Sequence, residues 1–250
     1  MRADRLLVAR GLAASRERAR ELIEAGAVSI GSGAQRELLR KPSTELDENV
    51  PLEVAAGAAL RYVSRGGLKL AGALGHTGID VRDLVCLDLG QSTGGFTDCL
   101  LQAGARRVVG VDVGHGQLHP RLRDDARVHA FEGVNVRSLD PARLGAAYVA
   151  PGFDLVVADL SFISLSHALA PAFALARPGA RLIALVKPQF ELGPGGVDRR
   201  GVVRDAGRFD AVQAAVRRAA ADAGWSVDDW FESPIRGGDG NREFFLYARK

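Results

Sequence analysis

From about residue 84 onward, short apolar runs alternate with amphipathic stretches. The runs near 84–89, 107–112, 127–131, 153–158, 180–186, 226–232 and 242–248 read as strands, and the stretches 67–76, 94–104, 164–176 and 207–223 carry helical spacing. Alternation of this kind predicts a mostly parallel sheet covered on both faces, because each crossover helix packs back onto the sheet. The last two runs are joined by a glycine-rich loop, Ser233 to Asn241, with no helix between them, and are expected to pair antiparallel. The first sixty residues have a different rhythm. Asp4 is placed to cap a helix through Arg10 that Gly11 stops, and Ser15 to cap a second, Arg16 to Ala25, that Gly26 ends. Val28-Ser29-Ile30, a turn at 31–33 and apolar positions at 50–54 predict a small curled sheet beside them. Ala55 to Ala59 has the small, weakly structured composition of a linker. The expected organisation is therefore a small α+β domain over 1–58, a linker over 59–64 and an α/β domain over 65–250.

Composition narrows the class. The 250 residues are 47% hydrophobic, enough for a sizeable core, yet no apolar run reaches the roughly 18–20 residues of a bilayer-spanning helix. Met1-Arg2-Ala3-Asp4-Arg5 leads into no signal-peptide core, so the cytoplasm is the expected compartment and stable membrane association is not expected. Cys86 and Cys99 show no disulfide or zinc spacing and read as small buried residues. Net charge is only +3, but basic residues gather early, at Arg2, Arg5, Arg10, Arg16, Arg18, Arg20, Arg36, Arg40 and Lys41. Leu12, Ala19, Leu22 and Ile23 fall on one helical face, which leaves Arg16, Arg18 and Arg20 nearer solvent and able to meet an RNA backbone.

The candidate chemistry begins at Leu87-Asp88-Leu89-Gly90-Gln91-Ser92-Thr93-Gly94-Gly95-Phe96-Thr97, where an apolar run breaks into a glycine-rich turn and opens an amphipathic segment. Strand, turn and helix in that order present backbone N–H groups to a nucleotide-type ligand, and glycine admits close approach. One helix and one strand later, Val108-Val109-Gly110-Val111-Asp112 ends in an acid able to accept hydrogen bonds from both hydroxyls of a ribose. The loop lacks the strict G-x-G-x-x-G spacing, and the pair points to S-adenosylmethionine more than to a dinucleotide. In a parallel sheet, ligands sit beyond the carboxyl ends of the strands, so the residues just after each run matter. These include Asp159 after the fourth run, Lys187 after the fifth and Glu243 at the start of the last; Lys69 lies in the helix before the first. His115 and His119 have an i, i+4 spacing but no third ligand, so no metal site is expected.

Two resemblances follow. Gly11-Leu12, Ser15-Arg16, Ala19, Leu22-Ile23, Gly26, Val28 and Lys41-Pro42-Ser43 resemble the αL RNA-binding domain of the ribosomal-protein-S-four type. That likeness implies ribosomal or other structured RNA as ligand, with Arg5, Arg16, Arg18, Arg20, Lys41 and Arg65 as candidate backbone contacts. The segments Ser64 to Leu70, Ser92 to Thr97, Val111 to Leu118, Asp159 to Leu165, Val186 to Glu191 and Gly240 to Phe244 are similar, in order and along essentially the whole chain, to the TlyA family. Its members are rRNA 2′-O-methyltransferases, long labelled hemolysins, with an FtsJ-like catalytic domain. The resemblance implies a class I, Rossmann-like methyltransferase fold: a mostly parallel seven-stranded sheet with an antiparallel last strand. It implies S-adenosylmethionine as cofactor, held by Gly90, Ser92, Thr93, Gly94, Gly95, Phe96, Asp112, Val113, Asn135 and Asp159, and a catalytic tetrad of Lys69, Asp159, Lys187 and Glu243. Lys187 is the group expected to accept or orient the hydroxyl proton. Three features depart from the pattern: Gln91 replaces a small residue, His115 stands where tyrosine is common, and Pro120 is expected to interrupt a short helix.

The alternatives are a membrane-active cytolysin, an RNA-binding protein with a degenerate site, and a base methyltransferase. Base N-methylation normally uses an Asp/Asn-Pro-Pro-aromatic motif after the fourth strand, where this chain has Asp159-Leu160-Ser161-Phe162. The ribosomal subunit, the modified nucleotide and the oligomeric state leave no mark in the sequence.

Overall fold

The computed structural model describes every residue except 14, 25–26, 32, 34–35, 40, 55–60, 194, 199–200 and 238–239; for Glu17, Glu21 and Glu24 only the backbone is described. Two compact units emerge, Met1–Arg65 and Gly66–Lys250. The expected second-helix stop at Ala25-Gly26, the Ala55–Ala59 linker and Arg40 lie outside the described residues.

In the first unit, α1 (Ala3–Ala9) and α2 (Arg16–Glu24) precede a three-stranded antiparallel sheet. It is ordered β2-β1-β3, from β1 (Val28–Ile30), β2 (Glu37–Leu38) and β3 (Leu52–Val54). Ala3, Leu7, Ala19, Leu22, Ile23 and Val28 form its core. Ser15 caps α2 through Arg18 N–H, as its position predicts. Asp4 is not a cap. It lies inside the first turn of α1, fully buried, where it accepts hydrogen bonds from Arg2 and Arg16.

The second unit carries a seven-stranded sheet in the order β6-β5-β4-β7-β8-β10-β9. Its strands are β4 (Val85–Leu89), β5 (Arg107–Val111), β6 (Val128–Phe131), β7 (Phe153–Ala158), β8 (Ala176–Val186), β9 (Ser226–Glu232) and β10 (Phe244–Arg249). Around it run α3 (Arg65–Thr77), α4 (Gly95–Gln102), α5 (Pro120–Arg123), α6 (Pro141–Leu144), α7 (Ser166–Leu175), α8 (Pro188–Glu191) and α9 (Gly207–Asp222). The β4 to β8 pairings are parallel, and β10 inserts antiparallel between β8 and β9. Leu87, Leu89, Val109, Val111, Val156 and Ala158 are almost wholly buried, which is why these strands read as unbroken apolar runs. Cys86 and Cys99 are both free and buried.

Two expectations need correction. Pro120 does not interrupt a helix; it occupies the first turn of α5, capped by His119 Nδ1, where its missing N–H costs nothing. β8 begins at Ala176, four residues before the apolar run, because Arg177-Pro178-Gly179 continues the strand across a register shift opposite β7.

Candidate active site

The sheet order reverses between β4 and β7, so the loops after β4, β5 and β7 part around a crevice at their carboxyl ends. It holds a cavity of about 410 Å³, lined by Gly90, Ser92, Asp112, Val113, Gly114, Gln117, Asn135 and the segment Asp159 to Ile163, among others. Gly90 has φ +84°, and a Cβ there would lie 2.5 Å from the Asp159 carbonyl oxygen. The loop after β4 therefore lies directly on the loop after β7, an approach only glycine permits.

Asp112 ties the same region together. Its Oδ2 accepts the Ser92 N–H at 2.8 Å and its Oδ1 the Gly114 N–H at 2.7 Å, leaving one lone pair on each oxygen. Val113, beside it, is exposed. Asn135 uses its Oδ1 to cap the following turn at Arg137 N–H, and its side-chain nitrogen has no partner among the described residues.

Of the glycine loop, Gly90 and Ser92 line the cavity; Thr93, Gly94, Gly95 and Phe96 do not. Phe96 is buried and stacks on Phe245, and a Cβ at Gly94 would strike Leu122 and Leu118. Gln91, in the loop expected to hold the cofactor, turns inward. Its amide lies where a Cβ on residue 110 would be, which Gly110 leaves empty, and donates to Thr97 Oγ1 at 2.9 Å. Thr97 in turn donates to Asp88 Oδ2 at 2.7 Å. Burial pushes the Asp88 carboxyl up to about 7, the Thr97 hydrogen bond opposing and the charges of Asp159 and Asp112 adding.

The four titratable residues expected to act together do meet. Lys187 Nζ, at the end of β8, lies 2.6 Å from Asp159 Oδ1 and donates to Ser161 Oγ at 2.8 Å. Lys69 Nζ, on α3, lies 2.7 Å from Glu243 Oε2, just before β10. Both contacts are close ion pairs whose acceptor oxygens have no well-aligned hydrogen bond. Burial alone would raise the Asp159 carboxyl, but the charges of Lys187 and Lys69 hold it below its ordinary value. Insertion of β10 beside β8 brings Glu243 to the site, since Phe244 pairs with Val186.

Two features of this corner were not marked as site residues from the sequence. Ser161 is the hydroxyl that Lys187 engages. Phe162 is 87% exposed with φ +64°, its ring 5.2 Å from that of Phe190. A bulky side chain at positive φ is strained. Nothing in the sequence around Phe162 signals that backbone conformation. Glu191 holds the following turn, accepting from Ser164 Oγ and Leu165 N–H.

Comparison with known proteins fits this geometry. The FtsJ-like methyltransferase profile matches residues 62–250. The chain belongs to that family. It is also 45% identical over 249 residues to the 16S/23S rRNA (cytidine-2′-O)-methyltransferase TlyA of Mycobacterium tuberculosis, covering 99% of this chain and 89% of that protein. This places it in the TlyA family as well. A Streptococcus thermophilus structure bearing a hemolysin name is 39% identical, with a TM-score of 0.75 over 100% of this chain and 88% of that one. An S-adenosylmethionine-dependent methyltransferase from Mesorhizobium loti, 15% identical, shares the fold at a TM-score of 0.54, over 73% of this chain and 98% of that one. The S4 domain profile matches residues 1–32.

Within this FtsJ-like chain the expected RNA contacts of the first unit separate into groups. Arg5, Arg20 and Lys41 are exposed and have no side-chain partner among the described residues. Arg16 pairs with the buried Asp4 at 3.1 Å, and Arg18 and Arg65 also have interactions. Arg2 and Arg16 hold the Asp4 carboxyl down to about 2, with burial opposing. Among the described residues no cluster of three potential metal ligands occurs, and no helix is long and apolar enough to cross a membrane.

Proposed function

We propose that this protein transfers a methyl group from S-adenosylmethionine to a ribose 2′-hydroxyl of ribosomal RNA. The observation that carries the reading is the pairing of Lys187 with Asp159, an acid that lines the same cavity as Asp112, with the charge of Lys69, itself paired to Glu243, also acting on Asp159. A cavity of about 410 Å³ at a topological switch point, with a glycine at closest approach and an acid after the second strand, fits a nucleoside-type cofactor. When bound, that cofactor supplies an electrophilic methyl group on a positively charged sulfur.

The protein's own residues do the rest. The free lone pairs of Asp112 would accept hydrogen bonds from ribose hydroxyls of the cofactor, and Asn135 would offer its amide N–H to the base. Lys187 is fixed by Asp159 and Ser161, so its remaining N–H or lone pair is aimed rather than mobile. As the ammonium, Lys187 would hold the substrate oxygen in place; as the neutral amine, its own proton having passed to solvent, it would accept the hydroxyl hydrogen, while the bound cofactor would give up its methyl group and leave as the neutral thioether. Lys69 and Glu243 balance charge behind that pair. The exposed Phe162 ring at the mouth suits stacking against an unpaired base. Arg5, Arg20 and Lys41 provide phosphate contacts on the S4-type unit, which recognises RNA by shape and backbone. The division of labour follows the boundaries read from sequence, with 1–58 docking and 65–250 catalysing, in the cytoplasm where ribosomes are modified.

The test is transfer of label from methyl-tritiated S-adenosylmethionine to separated ribosomal subunits and intact ribosomes, followed by digestion to nucleosides. A labelled 2′-O-methylnucleoside is expected. A base-methylated nucleoside, or lysis of erythrocytes without methyl transfer, contradicts the proposal. For the cofactor half, Asp112→Ala is expected to weaken S-adenosylhomocysteine binding by roughly tenfold or more, because charge-assisted contacts are lost and the Ser92 and Gly114 loops are released.

A further inference from the structure

The opposite ends of the same strands hold a second cavity, of about 460 Å³. It opens beside the first residues of β4, β5, β7 and β8, one strand length from the methyl-transfer centre, about 15 Å at 3.3 Å per residue. Ligands of α/β sheets normally gather at the other end, so the fold itself gives no reason for binding chemistry here. Yet four arginines, Arg106, Arg107, Arg127 and Arg177, line this space with a single acid, Asp154.

Two of the four have structural work. Arg177 Nε donates to Asp154 Oδ1 at 2.5 Å, and Arg127 makes a two-point contact with Asp125 at 3.0 and 2.7 Å. The side chains of Arg106 and Arg107 have no hydrogen-bond or ion-pair partner among the described residues. Arg107 Nε is moreover shielded from solvent with no acceptor. A buried N–H is seldom left unmatched, and Arg107 lines a cavity whose wall also carries the unpaired guanidinium of Arg106. Guanidinium groups offer paired N–H donors in the fork geometry that phosphoryl oxygens match. Val85 and the 57% exposed Val149 add an apolar wall for the organic part of a ligand.

We propose that this cavity is a phosphate-binding site, distinct from the methyl-transfer centre. It takes the phosphoryl group of a small phosphorylated ligand or of a nucleic-acid backbone through the guanidinium groups of Arg106 and Arg107.

The test is calorimetric titration of the full-length protein at low salt, saturated with S-adenosylhomocysteine so that the first cavity is filled. The probes are inorganic pyrophosphate, adenosine 5′-monophosphate and a single-stranded oligoribonucleotide. Saturable binding is expected, weakened at least tenfold in Arg106→Gln/Arg107→Gln, with affinity for S-adenosylhomocysteine unchanged. Val149→Asp, at an exposed rim position, places a negative charge in the cavity without disturbing the core and is expected to weaken binding likewise. Loss confined to pyrophosphate and the mononucleotide identifies a free ligand as the source; loss confined to the oligonucleotide identifies the backbone. No saturable binding of any probe by the wild type, or equal affinities in wild type and both variants, overturns the proposal.

Discussion

In the first unit, Arg5, Arg20 and Lys41 stand exposed with no side-chain partner among the described residues; at the strand ends of the second, Lys69 and Lys187 are largely buried against Glu243 and Asp159. An exposed cation keeps its hydration, contributes little to folding and is free to exchange counterions for phosphate. A buried pair has already given up its water, so removing one member strands the other, and salt barely reaches it. Only four of the 33 basic residues are lysines, and two of those four are in the site. In the proposed mechanism the proton-handling position is a lysine, since arginine does not deprotonate at workable pH.

The comparison breaks most visibly at Lys187. Lys187→Ala is expected to slow single-turnover methyl transfer at least about a hundredfold, the usual scale for a lost acid–base group, with S-adenosylhomocysteine affinity nearly unchanged. Lys69→Ala leaves Glu243, only 3% exposed, without its cation and is expected to cost about 3–5 kcal/mol in denaturant unfolding. A loss below about 1 kcal/mol would mean that the pair is solvated and that the contrast between units is false.

A second contrast lies between two buried acids. Asp4, between two arginines, is held down to about 2, whereas Asp88, with a hydroxyl and no cation beside it, is pushed up to about 7. A raised acid binds its proton more tightly in the folded state, so its contribution to stability is full below about pH 4 and is lost as pH rises through about 7. Asp88→Asn is therefore expected to gain on the wild type between pH 5 and pH 8, by up to a few kcal/mol in denaturant melts. An unchanged difference across that range would show Asp88 to be ionised and solvated. Asp4 has the opposite sign: its contribution is present above about pH 4 and is lost as pH falls through about 2.

Arg5→Ala/Arg20→Ala/Lys41→Ala is expected to weaken RNA binding and to flatten its log–log salt dependence by roughly 0.7–0.9 per lost contact, about 2–3 in all, while shifting stability by no more than about 0.5 kcal/mol per site. Arg16→Ala should do the reverse, costing stability through Asp4 more than affinity. Equal salt slopes in triple variant and wild type would place the RNA surface elsewhere.

Most of the second unit was legible because β4, β5 and β7 are buried on both faces and so spell unbroken apolar runs. Proline hid what remained. Pro120, which read as a break, opens a short helix, as do Pro141 and Pro188, and Pro178 lies inside a strand. The four tetrad residues were visible as polar residues just beyond apolar runs or in the helix before them. Their pairing was not, because which lysine meets which acid depends on β10 entering between β8 and β9, a long-range choice with no local signature. Asp4 was misread for a related reason: a cap and a buried acid held by arginines differ only in what folds against them.

The central claim is that a lysine fixed by Asp159 and Ser161 handles the hydroxyl proton at the edge of the cofactor cavity. The most direct measurement is the single-turnover rate of Lys187→Arg against wild type across pH, with S-adenosylhomocysteine affinity measured alongside. Arginine keeps the charge but cannot serve as the base. The expected result is a wild-type rate that rises with pH and a variant rate at least about a hundredfold lower and flat, with cofactor affinity preserved. A Lys187→Arg enzyme that turns over at close to the wild-type rate would show that residue 187 acts through charge and position alone, and would contradict the account.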